Sequence, residues 1–116
     1  MHFKLIIALV EDKISDDVLD AAREAGATGS TVLNQVRGEG IDTAKTFFGL
    51  ELETQRDMLM FLVEEHLSRK VIEHIAEVGK FEDNPGAGIA FQLDVEDIVG
   101  VNRQISKLHE AVEDKL

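Results

Sequence analysis

The sequence predicts an α+β fold in which two helices pack on one face of an antiparallel sheet. Two continuous apolar runs, residues 3–10 and 58–63, have the length of buried central strands. Each run is followed by an amphipathic segment that ends at a glycine, as helices often do. Strands and helices that alternate in this way favour a mixed fold over an all-helical or an all-β one.

The first half of the chain contains a predicted strand, a helix and a second strand. Residues 3–10 form the first strand. The helix covers residues 15–25, with Ser15 as its N-cap and Gly26 as its C-cap. Residues 30–37 form the second strand, and a break in their apolar alternation predicts a β-bulge.

The segment that follows, residues 41–56, fits neither a helical nor a strand period. Such a segment in a small domain is usually a functional loop or an extended hairpin. Phe47, Phe48 and Leu50 lie near its tip. Exposed there, they would form a contact surface for a partner; the alternative, which the sequence leaves open, is that they fold back on the core.

The second half repeats the order of strand, helix and strand and adds a C-terminal helix. These elements are predicted as a strand at 58–63, a helix from Leu67 or Ser68 to Gly79, a loop at 80–88, a strand at 89–95 that Ile98 and Val99 extend, and a helix at 102–116. We therefore divide the chain into a core domain, residues 1–100, and a C-terminal helical extension, residues 101–116.

The resulting order, βαββαβ plus a C-terminal helix, is the ferredoxin-like arrangement. Both helices of such a fold cover the same face of the sheet. The opposite face would expose more apolar surface than a monomer usually does, because all four predicted strands are largely apolar. We expect self-association or the C-terminal helix to cover that face.

The composition excludes several classes of protein. The 116 residues include no cysteine, which excludes a disulfide scaffold, a cysteine nucleophile and a thiolate metal site. The net charge of −11 argues against a surface that binds nucleic acid or anionic lipid. No apolar run approaches the ~20 residues that cross a bilayer, and residues 1–4 carry no signal-peptide pattern, so we expect a soluble cytoplasmic protein.

The sequence shows no catalytic pattern, and we predict that the protein is not an enzyme and requires no metal. Its serines lack a nucleophile-elbow setting, and Ser15 and Ser68 are interpreted as helix caps. The acidic pairs 16–17 and 64–65 are interpreted as a solvated helix turn and a solvated strand end. Four histidines form no known metal motif and are more simply solvated side chains: His2, His66, His74 and His109.

Five short stretches of the sequence carry a family pattern. They are residues 23–32 (REAGATGSTV), 36–40 (VRGEG), 78–80 (VGK), 84–91 (NPGAGIAF) and 94–95 (DV). Their order and spacing resemble the PII nitrogen-regulatory signalling superfamily, in its divergent PII-like branch, although no single stretch is specific. The resemblance implies a homotrimeric regulator whose three sheets meet at the centre and cover their open faces.

The resemblance also implies a ligand and a partner. An adenine nucleotide (AMP, ADP or ATP) would bind as an effector in the cleft between neighbouring subunits. A long loop, here residues 39–56, would rearrange with the ligand and contact a protein target, such as a membrane transporter or a metabolic enzyme. The residues that match the family's cleft are Thr31, Gly38, Gly40, Lys80, Gly86 and Gly88.

Main-chain groups would do most of the binding. Glycines at 86 and 88 permit positive φ and a close approach of the backbone, so that successive N–H groups of loop 80–88 can hold phosphates. Gly38 and Gly40 would form a hinge. The C-terminal helix would either contact a neighbouring subunit or act as a lid that brings Arg103 to the ligand.

The chain departs from the family pattern at several positions. Ile89 replaces a phosphate-binding lysine, and Gly100 and Asn102 replace arginines that clamp phosphates. Each missing charge-assisted contact forfeits roughly 1.5–3 kcal/mol, so we expect a less charged nucleotide than ATP, or another small anion, to be favoured. The chain has no tyrosine, which excludes uridylylation of the kind that some relatives undergo.

Two other functions stay open on the sequence alone. One is a metal-binding ferredoxin-like trimer that resembles the divalent-cation tolerance proteins, which histidine-dependent metal binding would reveal. The other is an amino-acid-binding regulatory module, which would form dimers with sheets side by side.

Overall fold

A computed structural model of the chain describes residues 1–36, 56–84, 86–102 and 105–106, and the backbone alone at 46–47 and 50–51. A short 3-10 turn, Asp12–Ile14, connects the first strand to the first helix. The elements in chain order are β1 (Phe3–Glu11), α1 (Ser15–Ala25), β2 (Ser30–Val36), β3 (Thr46–Phe47), β4 (Leu50–Glu51), β5 (Arg56–Glu64), α2 (Glu65–Gly79) and β6 (Gly88–Val95).

Four strands form one antiparallel sheet in the order β2-β5-β1-β6. With the two helices between them, this is the predicted ferredoxin-like arrangement. The register between β2 and β5 shifts between Leu33 and Val36, where Gln35 has a positive φ of 59°. The predicted bulge is therefore confirmed.

Both helices pack on the same face of the sheet. Gly26 ends α1 with a φ of 123°, and its N–H donates to carbonyl oxygens of the last turn, as a C-cap should. Each fully buried aliphatic or aromatic side chain contributes about 1.5–3 kcal/mol, so this layer holds the helices in place. Its buried members include Ile6, Ala8, Val10, Val18, Ala22, Leu59, Phe61, Val63, Val71 and Ile75.

The opposite face of the sheet is apolar, and the described residues leave much of it uncovered. Leu33, Phe91 and Leu93 are 45%, 38% and 49% exposed, respectively. Partners in the ladder share a face, and the pairing places these large side chains on the open face: Leu5, Ile7, Leu9, Leu33, Met58, Met60, Leu62, Ile89, Phe91 and Leu93. The described residues thus leave most of this apolar face open, and the prediction that self-association or the C-terminal helix covers it stays a prediction.

The chain after β6 covers one end of the open face. Ile98, Val101 and Ile105 pack against the cluster that contains the buried side chain of Phe3. The prediction that Ile98 and Val99 extend this strand is wrong, since β6 stops at Val95. Residues 102, 105 and 106 are helical, and the rest of the predicted C-terminal helix lies outside the described residues.

Three side chains at the helix starts differ from the predictions. Ile14 occupies the N-cap of α1, and Ser15 is buried inside the first turn, where its Oγ donates to Asp57 Oδ2 at 2.5 Å. Ser68 also lies within its helix and donates to the Glu65 carbonyl. Glu64 is not solvated but 2% exposed, because its carboxylate caps α2 by accepting from the His66 N–H at 2.7 Å.

Candidate functional site

The two segments predicted to respond to a ligand join the sheet at the same end. β1 ends there with Glu11, β5 begins with Arg56, and β6 begins with Gly88. β2 also ends there, since Val36 pairs with Arg56. The loop at 80–88 and the segment between β2 and β5 therefore join the same end of the sheet, with the end of β1 between them.

Loop 80–88 is a compact series of turns. Lys80 ends α2 in the left-handed conformation, with a φ of 55°, and its side chain is exposed. The Asn84 N–H donates to the Lys80 carbonyl at 2.9 Å, and the Ala87 N–H donates to the Asn84 carbonyl at 3.0 Å. Gly86 has a φ of 87°, a conformation that side chains disfavour. Its N–H has no acceptor among the described residues.

The aromatic ring of Phe81 packs against both glycines that border this loop. A Cβ added at Gly79 would lie 2.4 Å from Phe81 Cε1, and one added at Gly88 would lie 2.7 Å from the same atom and 2.9 Å from the Leu9 carbonyl oxygen. Gly88 itself does not have a positive φ. The expectation that Gly88 supplies positive φ is therefore wrong; the position lacks room for a side chain.

Two carbonyl oxygens of the loop are held by the end of the sheet. Arg56 Nη1 donates to the Gly86 carbonyl at 2.6 Å, and the Glu11 N–H donates to the Ala87 carbonyl at 3.2 Å. Arg56 is 4% exposed and lies 3.8 Å from the Glu11 carboxylate. The loop is thus anchored to the sheet at consecutive residues and packed by Phe81.

Thr31 lies on the edge strand β2, away from loop 80–88. With Thr28, Gly29 and Met60 it lines a cavity of about 330 Å³ that opens at the uncovered face of the sheet. The strands β5 and β1 separate β2 from β6, which corresponds to about 14 Å at ~4.8 Å per strand spacing. A single chain therefore does not bring Thr31 and Gly88 together.

The remaining predicted site residues lie wholly or partly outside the described residues. Gly38, Gly40, Phe48 and Arg103 are among those not described. Phe47 and Leu50 are described by their backbones alone, which pair as β3 and β4 in a short antiparallel ladder. That pairing agrees with the predicted hairpin extension.

Within the described residues, one group of three side chains has donor atoms close enough to share a metal ion: Glu64, Glu65 and His66. His66 Nδ1 lies 2.6 Å from the Glu64 carboxylate, which already caps α2. His74 is remote from this group and lies 3.3 Å from Glu24. His66 and His74 thus each have a carboxylate partner, and His109 lies outside the described residues.

A charged cluster lies at the other end of the sheet, away from loop 80–88. Hydrogen bonds from Lys4 and then His2 to the Asp94 carboxylate, together with the positive charge of Lys4, lower the pKa of Asp94. His2 and Asp94 are exposed, and Lys4 is partly buried. They fasten the start of β1 to the end of β6 and have no contact with the candidate site.

The sequence reasoning missed the contributions of Arg56 and Phe81. An arginine beside a largely apolar run was a signal for Arg56, since a buried strand tolerates an arginine only where it is paired. Phe81 was a comparable signal, since an aromatic residue in a turn between Gly79 and Gly88 indicates packing against those glycines. No helix among the described residues is long and apolar enough to span a membrane.

Comparison with known proteins agrees with this fold. The chain resembles a PII-like signalling protein from Thermus thermophilus at 22% identity, with a TM-score of 0.61 and coverage of 82% of this chain and 87% of that one. It resembles the apo form of CPII, a nitrogen regulatory PII-like protein from Thiomonas intermedia, at 20% identity, with a TM-score of 0.63 and coverage of 82% and 90%.

A second structure of CPII, bound to ADP, AMP and acetate, matches at 19% identity with a TM-score of 0.60 and coverage of 83% of this chain and 90% of that one. No protein with a curated function matches the chain. The family model of nitrogen regulatory protein P-II matches residues 3–104, which is most of the chain. The chain therefore belongs to the P-II family of nitrogen regulatory proteins, as a divergent PII-like member.

Proposed function

We propose that this protein is a homotrimeric regulator that binds an adenine nucleotide, or a related small anionic effector, between neighbouring subunits. Residues 39–56 would report the ligand state to a protein target, such as a membrane transporter or a metabolic enzyme. The P-II family consists of signalling regulators, and the proposed role is likewise non-enzymatic.

The separation of the two halves of the candidate site carries this proposal. Thr31 and its cavity lie at the β2 edge, whereas loop 80–88 leads into β6 at the opposite edge. Residues that match one family cleft but lie apart in one chain are expected where the cleft forms between copies. An assembly that brings the β2 edge of one subunit to loop 80–88 of the next would complete the site.

The open apolar face supports self-association. A surface with side chains such as Phe91 and Leu93 nearly half exposed is unfavourable in water, because burial of apolar area yields about 25 cal/mol per Å². A trimer that packs these faces together would remove that cost. We expect a solution mass of about 38 kDa, three times the 12.8 kDa of one chain, and a mass of 12.8 kDa would refute the intersubunit site.

The ligand class follows from the relatives and from loop 80–88. CPII has been observed with ADP and AMP, and also with bicarbonate. Here the Gly86 N–H is available to an anion, and the exposed Lys80 begins the same loop. The one exposed cation that this loop offers among its described residues, with a few N–H groups, suits one or two phosphate groups better than three.

The proposed switch is a shift in the populations of loop conformations. Loop 80–88 and the segment at 39–56 join the same end of the sheet on either side of β1, and Arg56 donates to the Gly86 carbonyl across it, so a ligand that orders the first biases the second. Phe47, Phe48 and Leu50 would then contact the target. Hydrogen exchange at 39–56 is expected to change when saturating AMP or ADP is added, and an unchanged rate would refute the switch.

Calorimetric titration of the whole chain with AMP, ADP and ATP tests the ligand, and a thermal-shift screen extends it to cyclic nucleotides and bicarbonate. We expect Gly86→Ala to abolish or strongly weaken nucleotide binding, because the new side chain strains a φ of 87° and displaces the N–H. Gly100→Ala applies the same backbone strain at a second glycine with a φ of 87°, and a loss of binding there would point to the C-terminal segment that the family resemblance also places near the ligand. Wild-type binding by Gly86→Ala would exclude loop 80–88 as the anion site.

A further inference from the structure

Arg56 is a buried cation at the end of the sheet, and it contacts loop 80–88, the candidate ligand loop. Its guanidinium is 4% exposed and donates to the Gly86 carbonyl oxygen at 2.6 Å. The carboxylate of Glu11 lies 3.8 Å away and balances part of its charge. We propose that Arg56 is a positioning residue that holds loop 80–88 in the shape that accepts an anion, an inference that rests on the proposed function of this loop.

The direction of the loop's peptide groups explains why such a residue is needed. An anion is attracted to N–H groups and repelled by carbonyl oxygens, so a phosphate loop must turn its carbonyls away from the ligand. Arg56 binds the Gly86 carbonyl, and the Glu11 N–H binds the next one, at Ala87. Gly86 is free to rotate, since glycine populates both signs of φ. Without Arg56, the Gly86 carbonyl would be able to turn outward.

The burial of Arg56 argues for an indirect role. A residue that binds a soluble ligand directly presents its charged group at the surface, as the exposed Lys80 does. The Arg56 side chain instead lies beneath the loop, with protein partners on Gly86 and Glu11. A hydrogen bond from a charged donor is stronger than a neutral one, which suits a contact that must keep one peptide orientation populated.

Arg56 also connects the segment at 39–56 to loop 80–88, the two segments proposed to respond to the ligand. It is the last residue of the segment at 39–56 and the first residue of β5. A contact from this residue to Gly86 therefore connects the end of that segment to the ligand loop. By linkage, a target that changes the conformation around Arg56 would change nucleotide affinity by the same factor that the nucleotide changes target affinity.

Binding measurements on Arg56→Met test the role in the whole chain. We expect the dissociation constants of AMP, ADP and ATP to rise by the same factor, about tenfold if the binding-competent loop falls to a tenth of the population. A direct contact to phosphate would instead give a loss that grows with the number of phosphates. Arg56→Lys, which keeps a cationic donor, is expected to recover part of the affinity. Unchanged affinity, or a loss that grows from AMP to ATP, would overturn the proposal.

Arg69→Met is the matched control for this substitution. Arg69 lies on α2 with its side chain 81% exposed and pairs with Glu73 one turn away. The same chemical change at this site is expected to leave nucleotide affinity unchanged. An equal loss in both variants would show that a general change in charge, rather than the contact to Gly86, is responsible.

Hydrogen exchange of the ligand-free protein separates this inference from the proposed function. In Arg56→Met, peptides that cover 80–88 are expected to exchange at least about tenfold faster, whereas α1 (Ser15–Ala25) keeps its wild-type rate. If the wild type binds no nucleotide, the proposed function fails, but the exchange rate still decides whether Arg56 holds the loop. If Arg56→Met does not fold, Arg56→Lys takes its place in the same comparison. Wild-type exchange across 80–88 in a folded variant would refute the role of Arg56.

Discussion

The ring of Phe81 makes two glycines sensitive to a single added methyl group, for different reasons. At Gly79 the three nearest atoms to an added Cβ all belong to Phe81, at 2.4, 2.9 and 3.2 Å. At Gly88 the nearest atoms are the ring, at 2.7 and 2.9 Å, and the Leu9 carbonyl oxygen, at 2.9 Å. The ring is able to move or to be removed by mutation, whereas the carbonyl belongs to a central strand.

This difference sets the expected free energies of unfolding. Forcing a methyl group into a packed site costs about 1–3 kcal/mol, whereas glycine to alanine in a helix gains up to ~1 kcal/mol. Gly79→Ala should therefore destabilise the wild type by about 1–2 kcal/mol. In a Phe81→Ala background the clash is gone, and the same substitution should stabilise by up to ~1 kcal/mol. Gly88→Ala should destabilise in both backgrounds, because the contact with Leu9 persists.

A double-mutant cycle of Gly79→Ala and Phe81→Ala, with unfolding in urea at one fixed protein concentration, measures these free energies of unfolding. The coupling between Gly79 and Phe81 is expected to be about 2 kcal/mol, within the range for residues in contact. Gly29→Ala is the control, since a methyl group there meets no described atom within 4 Å and φ is not positive. The reasoning is refuted if Gly79→Ala costs the same with and without the Phe81 ring.

Two further substitutions test polar contacts elsewhere. Ser15→Ala should lower the free energy of unfolding by about 1–3 kcal/mol, because it removes the donor to the buried Asp57 carboxylate. Urea titration measures this loss. The control is Ser106→Ala, at an exposed serine, which should change the free energy of unfolding by less than ~0.5 kcal/mol. Because the pKa of Asp94 is lowered on folding, its ion pairs stabilise the protein above the unfolded pKa of about 3.9 and lose that effect as pH falls through the lower folded value. Asp94→Asn should therefore be less stable than the wild type at pH 6, and the difference should shrink as the pH falls through the folded pKa of Asp94; a deficit that does not shrink at low pH would contradict this cause.

Local patterns were sufficient for most of the fold. The limits of α1 at Ser15 and Ala25 follow from helical spacing and a terminal glycine, and the bulge near Gln35 follows from broken alternation. These features depend on neighbours in the sequence. The uncovered apolar face was also predictable, because it requires only the order of the elements and the apolar content of the strands.

Contacts between distant residues were not predictable in the same way. A serine before a helix has the pattern of an N-cap, but Ser15 donates to Asp57, 42 residues away in the sequence. A pair of acidic residues at a strand end has the pattern of a solvated site, but Glu64 is buried under its own helix start. In each case the polar group has a partner that only the packed structure brings near.

The candidate site shows the same division between local and distant causes. The glycines at 86 and 88 were identified from spacing, but only the structure separates their roles, since Gly86 needs its positive φ and Gly88 needs the absence of a side chain. In the proposed assembly, the residues that complete the cleft depend on contacts between copies. A sequence without aligned relatives contains no signal for that geometry.

The anchoring of loop 80–88 bears on which nucleotide the protein prefers. Ordering a free residue on binding costs about 1–2 kcal/mol of backbone entropy, and a loop already held at Gly86, Ala87 and Phe81 avoids part of that cost. This gain is the same for every ligand that the loop accepts. The missing lysine at Ile89 matters more for each added phosphate, because fewer cations offset the repulsion from a chain with a net charge of −11. We therefore expect the proposed site to favour AMP and ADP over ATP, and an affinity that rises steadily from AMP to ATP would mean that cations outside the described residues complete the site.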